Sequence, residues 1–115
     1  IDMVGHVKNI SPLMQNGLRQ FADHPMVGEV RGVGLVAAVE VVEDKASKKA
    51  FDPARKIGPY IDNLAKENGM IVRAMGDSVG FTPPLIMKPS EINEMVEIFG
   101  KTLDQAWAAV QAGDI

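Results

Sequence analysis

The clearest periodic signal in the sequence is an apolar stripe near its end, and this stripe limits what the chain can fold into. Beyond residue 90, apolar side chains recur at intervals of three and four residues: Ile92, Met95, Val96, Phe99, Leu103, Ala106, Trp107 and Val110. This spacing places them along one side of an α-helix, for which Ser90 is the predicted N-cap. Because a one-sided apolar helix must be buried against another element, we expect a layered domain.

A second helix is predicted at the start of the chain, over residues 3–21. Its apolar positions are Met3, Val7, Ile10, Met14, Leu18 and Phe21. Pro12 lies inside this pattern and is expected either to kink the helix or to begin a second one, with Ser11 as its N-cap. Pro25 follows the pattern, and the residue before a proline avoids the helical conformation, so the helix is predicted to end there.

The segment that follows is rich in valine and punctuated by glycine, a composition typical of strands joined by tight turns. It predicts a short strand near residues 28–31 and a longer one at about 34–42. A charged connection then leads to Asp52-Pro53, which predicts a helix start. Gly69 stands where a left-handed C-cap ends that helix.

Two further strands are predicted before the final helix. The first covers residues 70–73, a turn covers 76–80, and the partner strand covers 80–82. The resulting order is α-β-β-α-β-β-α. Short strands joined by tight turns pair antiparallel, so residues 1–115 are predicted to form one α+β domain, a small antiparallel sheet with helices covering one face.

Composition excludes several classes of partner. The net charge of −3 gives no basic patch for a nucleic acid, and no run of about 18 apolar residues predicts a membrane span. The chain has no cysteine, which removes disulfides and thiolate metal sites. A protein of this composition fits a reducing compartment, and we expect a cytoplasmic location.

The segment GVGLVA at residues 32–37 matches the letters of the dinucleotide-binding fingerprint G-x-G-x-x-A. That site needs a helix directly after the glycines, so that the helix N-terminus meets the pyrophosphate. Here the following residues are β-branched and predict a strand instead. We therefore interpret the glycines as a hairpin turn.

The two histidines, His6 and His24, lie 18 residues apart with no second metal ligand three or four positions away. Metal sites on helices usually place ligands at that closer spacing. We interpret both histidines as surface or capping residues, and no metal site is predicted.

Arg73 stands at the end of an apolar strand, in the sequence IVRAMGDSVG. In a strand its side chain shares a face with Ile71, while Met70 and Val72 point to the other face. Two interpretations of this arginine stay open. The guanidinium can pair with Asp77 or extend to water. Alternatively, it can bind a carboxylate through two N–H groups at once.

Three stretches of the sequence resemble one known family. HPMVGEVRGVGLVAAVEVVEDK, GMIVRAMGDSVGFTPPLIM and SEINEMVEIFGKTLDQAW together resemble the C-terminal small domain of class III pyridoxal-phosphate aminotransferases, nearest to the ω-amino acid or amine:pyruvate branch. The resemblance runs to about residue 110. It depends on the combination of R-G-x-G-L, G-x-I-x-R and P-P-L, since each motif alone is weak.

The resemblance implies a function. The full enzyme would have the fold-type I architecture, act as a homodimer and hold pyridoxal 5'-phosphate in a large domain through a Schiff-base lysine. It would transfer an amino group from an ω-amino acid or amine to pyruvate or a similar keto acid. The matching arginine, Arg73, would bind the substrate carboxylate and swing away when the amine carries an apolar group.

The residues around Arg73 match the same pattern at Ile71, Gly76 and Asp77. We interpret Gly76, Asp77 and Gly80 as a supporting loop. Asp77 would serve as an alternate counter-ion for the arginine, and the glycines would supply backbone freedom for its movement.

The chain departs from the family because the large domain is absent. None of its lysines stands in a context that resembles the Schiff-base lysine, so no catalytic or cofactor-binding residue is predicted here. We expect a fragment, consistent with Ile rather than Met at position 1, that binds no pyridoxal phosphate and does not transaminate alone.

Two alternatives to the aminotransferase hypothesis stay open. The chain can be a stand-alone α+β module in which Arg73 recognises a free amino acid. It can also be an oligomerisation domain that associates through apolar helix faces.

Overall fold

A computed structural model describes residues 2–84 and 86–115, so Ile1 and the leucine of the P-P-L segment, Leu85, lie outside the described residues. The predicted order α-β-β-α-β-β-α is confirmed. The elements are α1 (Met3–Arg19), β1 (Val27–Val33), β2 (Val36–Val41), α2 (Ile57–Glu67), β3 (Arg73–Met75), β4 (Ser78–Phe81) and α3 (Pro89–Ala112). Short 3₁₀ turns at Gln20–Asp23 and Pro53–Arg55 extend α1 and precede α2.

The four strands form one antiparallel sheet in the order β1-β2-β4-β3. Two-residue turns close both hairpins, Gly34-Leu35 between β1 and β2 and Gly76-Asp77 between β3 and β4. Each turn begins with a glycine at φ +60°, a backbone conformation that side chains disfavour. The GVGLVA segment therefore contains a hairpin turn, as predicted, but the turn is at Gly34-Leu35, within the strand predicted at 34–42, and Gly32 lies in β1 opposite Ala37.

The helices cover one face of this sheet, which we call the inner face. Its side chains are buried, and on the two central strands they are Ala37, Val39, Val41, Val79 and Phe81. On the opposite side, the outer face, no helix of residues 2–84 and 86–115 is packed. Val33 and Val36 lie on it and are 79% and 57% exposed. The prediction of an α+β fold with helices on one face is confirmed.

Phe99 of α3 joins the helical layer to the sheet. Its ring packs edge-on against Phe81 of β4, with 4.7 Å between ring centroids, and against Phe21, with 5.4 Å. Edge-to-face packing of this kind stabilises a core beyond the area it buries. The predicted apolar stripe of α3 thus lies against the inner face.

Pro12 does not divide the first helix. α1 runs without a break from Met3 to Arg19, so of the two alternatives for Pro12, a second helix with Ser11 as its N-cap is wrong. The Ser11 hydroxyl instead donates to the carbonyl of Val7 within the helix. Proline removes one backbone hydrogen bond, but burial of Met14 and Leu18 on the same helix outweighs that loss.

Two predicted helix starts are also wrong. Lys88, not Ser90, is the N-cap of α3, and its N–H donates to Glu91 Oε1 at 2.9 Å. Pro53 begins a 3₁₀ turn rather than α2, because Lys56 adopts a left-handed φ of +53° before the α-helix begins. The predicted glycine cap is confirmed, since Gly69 follows α2 with φ +95°.

No helix in the described ranges is long and apolar enough to cross a membrane.

The second hairpin differs from its predicted bounds. Its turn covers two residues instead of 76–80, β3 covers Arg73–Met75 instead of 70–73, and β4 starts at Ser78 instead of 80. Gly76 supplies the positive φ of the turn, and Gly80, whose φ is not positive, is a residue of β4. The predicted alternation of sides is confirmed: Met70 and Val72 are buried, and Ile71 is exposed.

Phe99→Ala is expected to lower the free energy of unfolding of this chain by about 3–5 kcal/mol, because it leaves a cavity between three packed elements. Urea denaturation followed by circular dichroism measures the change. Ile71→Ala is the control, since that side chain is 87% exposed, and should change stability by less than about 0.5 kcal/mol. Equal losses in the two variants would contradict the assignment of Phe99 to the core.

Candidate functional site

Arg73 lies on the outer face of the sheet. The strand register pairs Arg31 with Ala38, Ala38 with Gly80, and Gly80 with Arg73, so these four residues form one row across the sheet. Directly paired residues of an antiparallel sheet point to the same side. Two small residues therefore occupy the middle of the row, with an arginine at each end.

The two arginines of this row differ in their partners. Arg31 lies 3.4 Å from carboxylate oxygens of both Glu29 and Glu40, and donates to Ser78 Oγ at 3.5 Å. No ion pair within 4.0 Å is formed by Arg73 with any other residue in ranges 2–84 and 86–115. The charge of Arg31 is thus compensated on the sheet, and the guanidinium of Arg73 is available for an anion.

The polar cluster around Arg31 was not singled out from the sequence. The alternation of Glu29 and Arg31 on one strand was its visible signal, because alternate residues share a face. Glu40 and Ser78 lie on neighbouring strands and reach Arg31 only through the pairing of β1, β2 and β4. The sequence pattern does not predict the register of that pairing.

A groove of about 560 Å³ adjoins Arg73 at the β3 edge of the sheet, and we call it the edge groove. Its walls are mainly apolar and include Met70, Val72 and Met95. Glu91 and Glu94 of α3 line its other side. Arg73 therefore stands where the outer face meets an apolar groove, an arrangement that can hold a molecule with one anionic and one apolar end.

The ion pair between Arg73 and Asp77, one of the interpretations that the sequence leaves open, is not among the ion pairs of the described residues. Asp77 lies in the hairpin turn, where its Oδ1 accepts from the backbone N–H of Gly58 at 3.3 Å, and its carbonyl accepts from Val41 N at 2.9 Å. A strand rises about 3.3 Å per residue, so Arg73 lies roughly 10 Å along the hairpin from this turn. Asp77 is consequently not placed to act as an alternate counter-ion.

The pKa of the Asp77 carboxyl is raised, mainly because burial disfavours its charged form. The hydrogen bond from Gly58 opposes this shift, and the negative charge of Glu40 adds to it. Lys56 lines the same cavity as both carboxylates. Burial therefore disfavours the ionised form of Asp77, while the hydrogen bond from Gly58 favours it.

The glycines of the predicted supporting loop have different positions. Gly76 forms the turn and packs against α2, where a Cβ added to Gly58 would lie 1.8 Å from the Gly76 carbonyl oxygen. Gly80 lies inside β4, directly opposite Arg73, and a Cβ there would meet Met75 Cε at 3.4 Å. Gly80 is thus a small strand residue beside the arginine rather than a loop residue.

Both histidines make structural contacts, as predicted. His6 Nε2 lies 2.9 Å from the carbonyl oxygen of Met87. His24 Nδ1 accepts from the Met26 N–H at 3.1 Å, so its Nε2 carries the proton that faces Asp104 Oδ1 at 3.0 Å. Within the part of the chain that the structure describes, no group of three or more His, Cys, Asp or Glu residues could hold a metal ion.

These features define a class of protein: a small α+β domain with one open sheet face that presents an arginine beside an apolar groove. Comparison with known families makes the class specific. Residues 2–103 match the family described as aminotransferase class-III. The chain belongs to this family.

Similar proteins of known sequence are transaminases. The chain is 38% identical over 110 residues to gamma aminobutyrate transaminase 1, mitochondrial, of Solanum lycopersicum, covering 96% of this chain and 21% of that protein. It is 42% identical over 102 residues to putrescine–pyruvate aminotransferase of Pseudomonas aeruginosa, covering 89% of this chain and 22% of that protein. The chain thus spans about a fifth of the length of these curated relatives.

Solved structures give the same result. An omega-transferase from Vibrio fluvialis superposes with a TM-score of 0.93 at 35% identity, covering 96% of this chain and 26% of that one. A thermostable omega transaminase mutant from Pseudomonas jessenii superposes with a TM-score of 0.85 at 46% identity, covering 90% and 23%. The family and the α+β fold resemblance inferred from the sequence motifs are confirmed.

The pH dependence of stability tests the environment of Asp77. Because its pKa is raised on folding, its contribution to stability is complete below about pH 4 and is lost as pH rises through the raised pKa. Relative to Asp77→Asn, the unsubstituted chain should therefore lose stability as pH rises above about 4, as measured by urea denaturation.

Glu40→Gln provides a second readout, since removing that negative charge should weaken the same pH dependence. A stability difference between the chain and Asp77→Asn that is constant with pH, or that favours the aspartate more as pH rises, would contradict a raised pKa.

Proposed function

We propose that this chain is the C-terminal part of a class III aminotransferase and that Arg73 binds the carboxylate of its amino or keto acid substrate. The parent enzyme transfers an amino group from an ω-amino acid or amine to pyruvate or a similar keto acid. The observation that carries the proposal is the position of Arg73 on the outer face, beside the edge groove, with no carboxylate partner among the described residues.

The chemistry of the side chain supports this role. A guanidinium is always charged and offers two parallel N–H groups that match the two oxygens of a carboxylate. Since no described acidic residue holds it within 4.0 Å, Arg73 can also turn away when a substrate presents an apolar group. Two relatives are named for substrates that carry a carboxylate, aminobutyrate and pyruvate, which is consistent with this role of Arg73.

Class III aminotransferases depend on pyridoxal 5'-phosphate, which carries the amino group from donor to acceptor. The residues of this chain do not fit that cofactor. No lysine is among the described residues that line the edge groove, and Lys56 shares a second cavity with the carboxylates of Glu40 and Asp77, which would repel the phosphate. We therefore place the cofactor in the remaining part of the parent enzyme.

The outer face supplies a surface for that remaining part. Four large apolar side chains are exposed on it or at its rim: Val33, Val36, Ile71 and Met75. Large apolar side chains that are exposed together on one face often meet another protein surface. We propose that the large domain of the same polypeptide covers it, and that the parent enzyme is a homodimer. The cytoplasmic location stays a prediction from composition.

In the intact parent enzyme, Arg73→Ala should raise the KM for pyruvate by about 30-fold or more and change the KM for a simple aryl amine little. The expected loss is about 2–5 kcal/mol, because a partly buried carboxylate would lose a bidentate partner. Steady-state kinetics with each substrate varied separately gives the comparison.

Arg19→Ala is the matched control, since Arg19 is exposed at the end of α1, away from the edge groove. It should leave both constants unchanged. Equal effects of Arg73→Ala on the two substrates would show that the arginine is not a carboxylate-binding residue.

The isolated 115-residue chain is expected to form no site-specific adduct with pyridoxal phosphate. Purified chain would be mixed with the cofactor, reduced with borohydride and digested for mass spectrometry. Scattered, substoichiometric labelling of surface lysines is the expected result. One lysine labelled in every chain would overturn the assignment of the cofactor site to the rest of the enzyme.

A further inference from the structure

Helix α2 begins without a cap of its own. Its N-cap residue, Lys56, has a left-handed φ of +53° and makes no side-chain hydrogen bond to the first turn. The N–H groups of a first helical turn have no partner within the helix, and they are usually satisfied by a Ser, Thr, Asp or Asn at the N-cap. α2 therefore needs an acceptor from elsewhere in the fold.

Asp77 supplies this acceptor from the tip of the β3–β4 hairpin. Its Oδ1 accepts from Gly58 N at 3.3 Å, and Gly58 is the second residue of α2. This is one of the two positions that an N-cap side chain normally serves. The carboxylate also lies at the positive end of the helix dipole, which favours a negative charge.

Backbone contacts fix the same hairpin tip. The Gly76 carbonyl lies so close to Gly58 that an added Cβ would approach the oxygen to 1.8 Å, a distance no real contact permits. On the other side, Val41 N donates to the Asp77 carbonyl at 2.9 Å. The tip is thus held between the first turn of α2 and the end of β2.

Within the hairpin, β3 has fewer supports than β4, which pairs with β2 and is buried in the core. Among the described residues, β3 has three residues, lies at the edge of the sheet and pairs only with β4. By contrast, Ile57, Ile61 and Ala65 of α2 are fully buried in the core. Contact with α2 therefore ties a short edge strand to a rigid element, and Arg73 is the first residue of that strand.

Ionisation of the Asp77 carboxyl is disfavoured by burial and by the nearby charge of Glu40, while Lys56 lines the same cavity. The hydrogen bond from Gly58 N acts in the opposite direction and favours the ionised form. The contact with α2 therefore stabilises the charged form of Asp77 that accepts this hydrogen bond.

We infer that Asp77 is a positioning residue: by capping α2 from outside, it fixes the β3–β4 hairpin and thereby the direction in which Arg73 meets a substrate carboxylate. This inference rests on the proposed role of Arg73. It assigns Asp77 a function at the tip of the hairpin, in place of the counter-ion role expected from the sequence.

Kinetics of the intact parent enzyme test the inference. Asp77→Ala should raise the KM for pyruvate severalfold, because a hairpin that has lost its contact with α2 no longer holds Arg73 in one direction. The KM and kcat of the half-reaction with an aryl amine should change little. Asp77→Asn, which keeps an acceptor oxygen at the same place, should restore most of the affinity for pyruvate.

The control is Asp44→Ala, which removes another aspartate that accepts local hydrogen bonds, from Ala46 N and Ser47 Oγ, in a loop outside the hairpin. It should leave the KM for pyruvate unchanged. Equal changes with pyruvate and the aryl amine in Asp77→Ala, or no rescue by Asp77→Asn, would overturn the inference.

Hydrogen exchange gives a readout that does not depend on the role of Arg73. In Asp77→Ala, the amides of β3 and β4 should exchange faster, while those of β1 and α3 should keep their protection. Gly58→Ala should produce the same local pattern, because its Cβ displaces the hairpin tip. Its matched control is Gly113→Ala, at a glycine of φ +78° with nothing within 4 Å of an added Cβ, which should not affect the hairpin.

The two experiments separate the possible failures. If Arg73→Ala shows no preference for the carboxylate substrate while hairpin exchange rises in Asp77→Ala, the proposed function fails and the anchoring contact is upheld. If hairpin exchange is unchanged in Asp77→Ala, the positioning role of Asp77 is wrong whatever Arg73 does.

Discussion

The structure depends on a four-stranded sheet that is covered on one side only. Phe99 of α3 packs edge-on against Phe81 of β4 and joins the helical layer to the sheet. Alternate side chains of the strands are buried under this layer, on the inner face. The remaining side chains of each strand lie on the outer face. Because Arg73 pairs with Gly80 and Ala38 across the sheet, this constraint places its side chain on the outer face.

Each hairpin tip is held by one side-chain hydrogen-bond system that involves a helix. The buried amide of Gln15 in α1 donates to the carbonyls of Gly34 and Val36, at 2.8 and 3.3 Å, and so fixes the first turn. In the second turn the direction is reversed, since Asp77 accepts from the first turn of α2. The helical layer therefore both covers the inner face and sets the positions of the two turns that bound the outer face.

Local patterns predicted the element order, the antiparallel pairing and the alternation of sides around Arg73. They did not predict the strand bounds of the second hairpin, because glycine signals a turn by itself, whereas Gly80 lies inside β4, paired with Ala38 and Arg73. The contact between Asp77 and Gly58 joins residues 19 apart in sequence, so no local pattern contains it. The proposed role of Arg73 likewise depends on family resemblance, since spacing alone leaves an ion pair with Asp77 open.

The most direct measurement is a crystal structure of the intact parent enzyme with a keto acid bound. Both oxygens of the substrate carboxylate should lie about 2.7–2.9 Å from the guanidinium nitrogens of Arg73, on the outer face of the sheet. Asp77 should still cap α2 in that complex. A keto acid carboxylate bound by other residues, with Arg73 turned to solvent, would contradict the account.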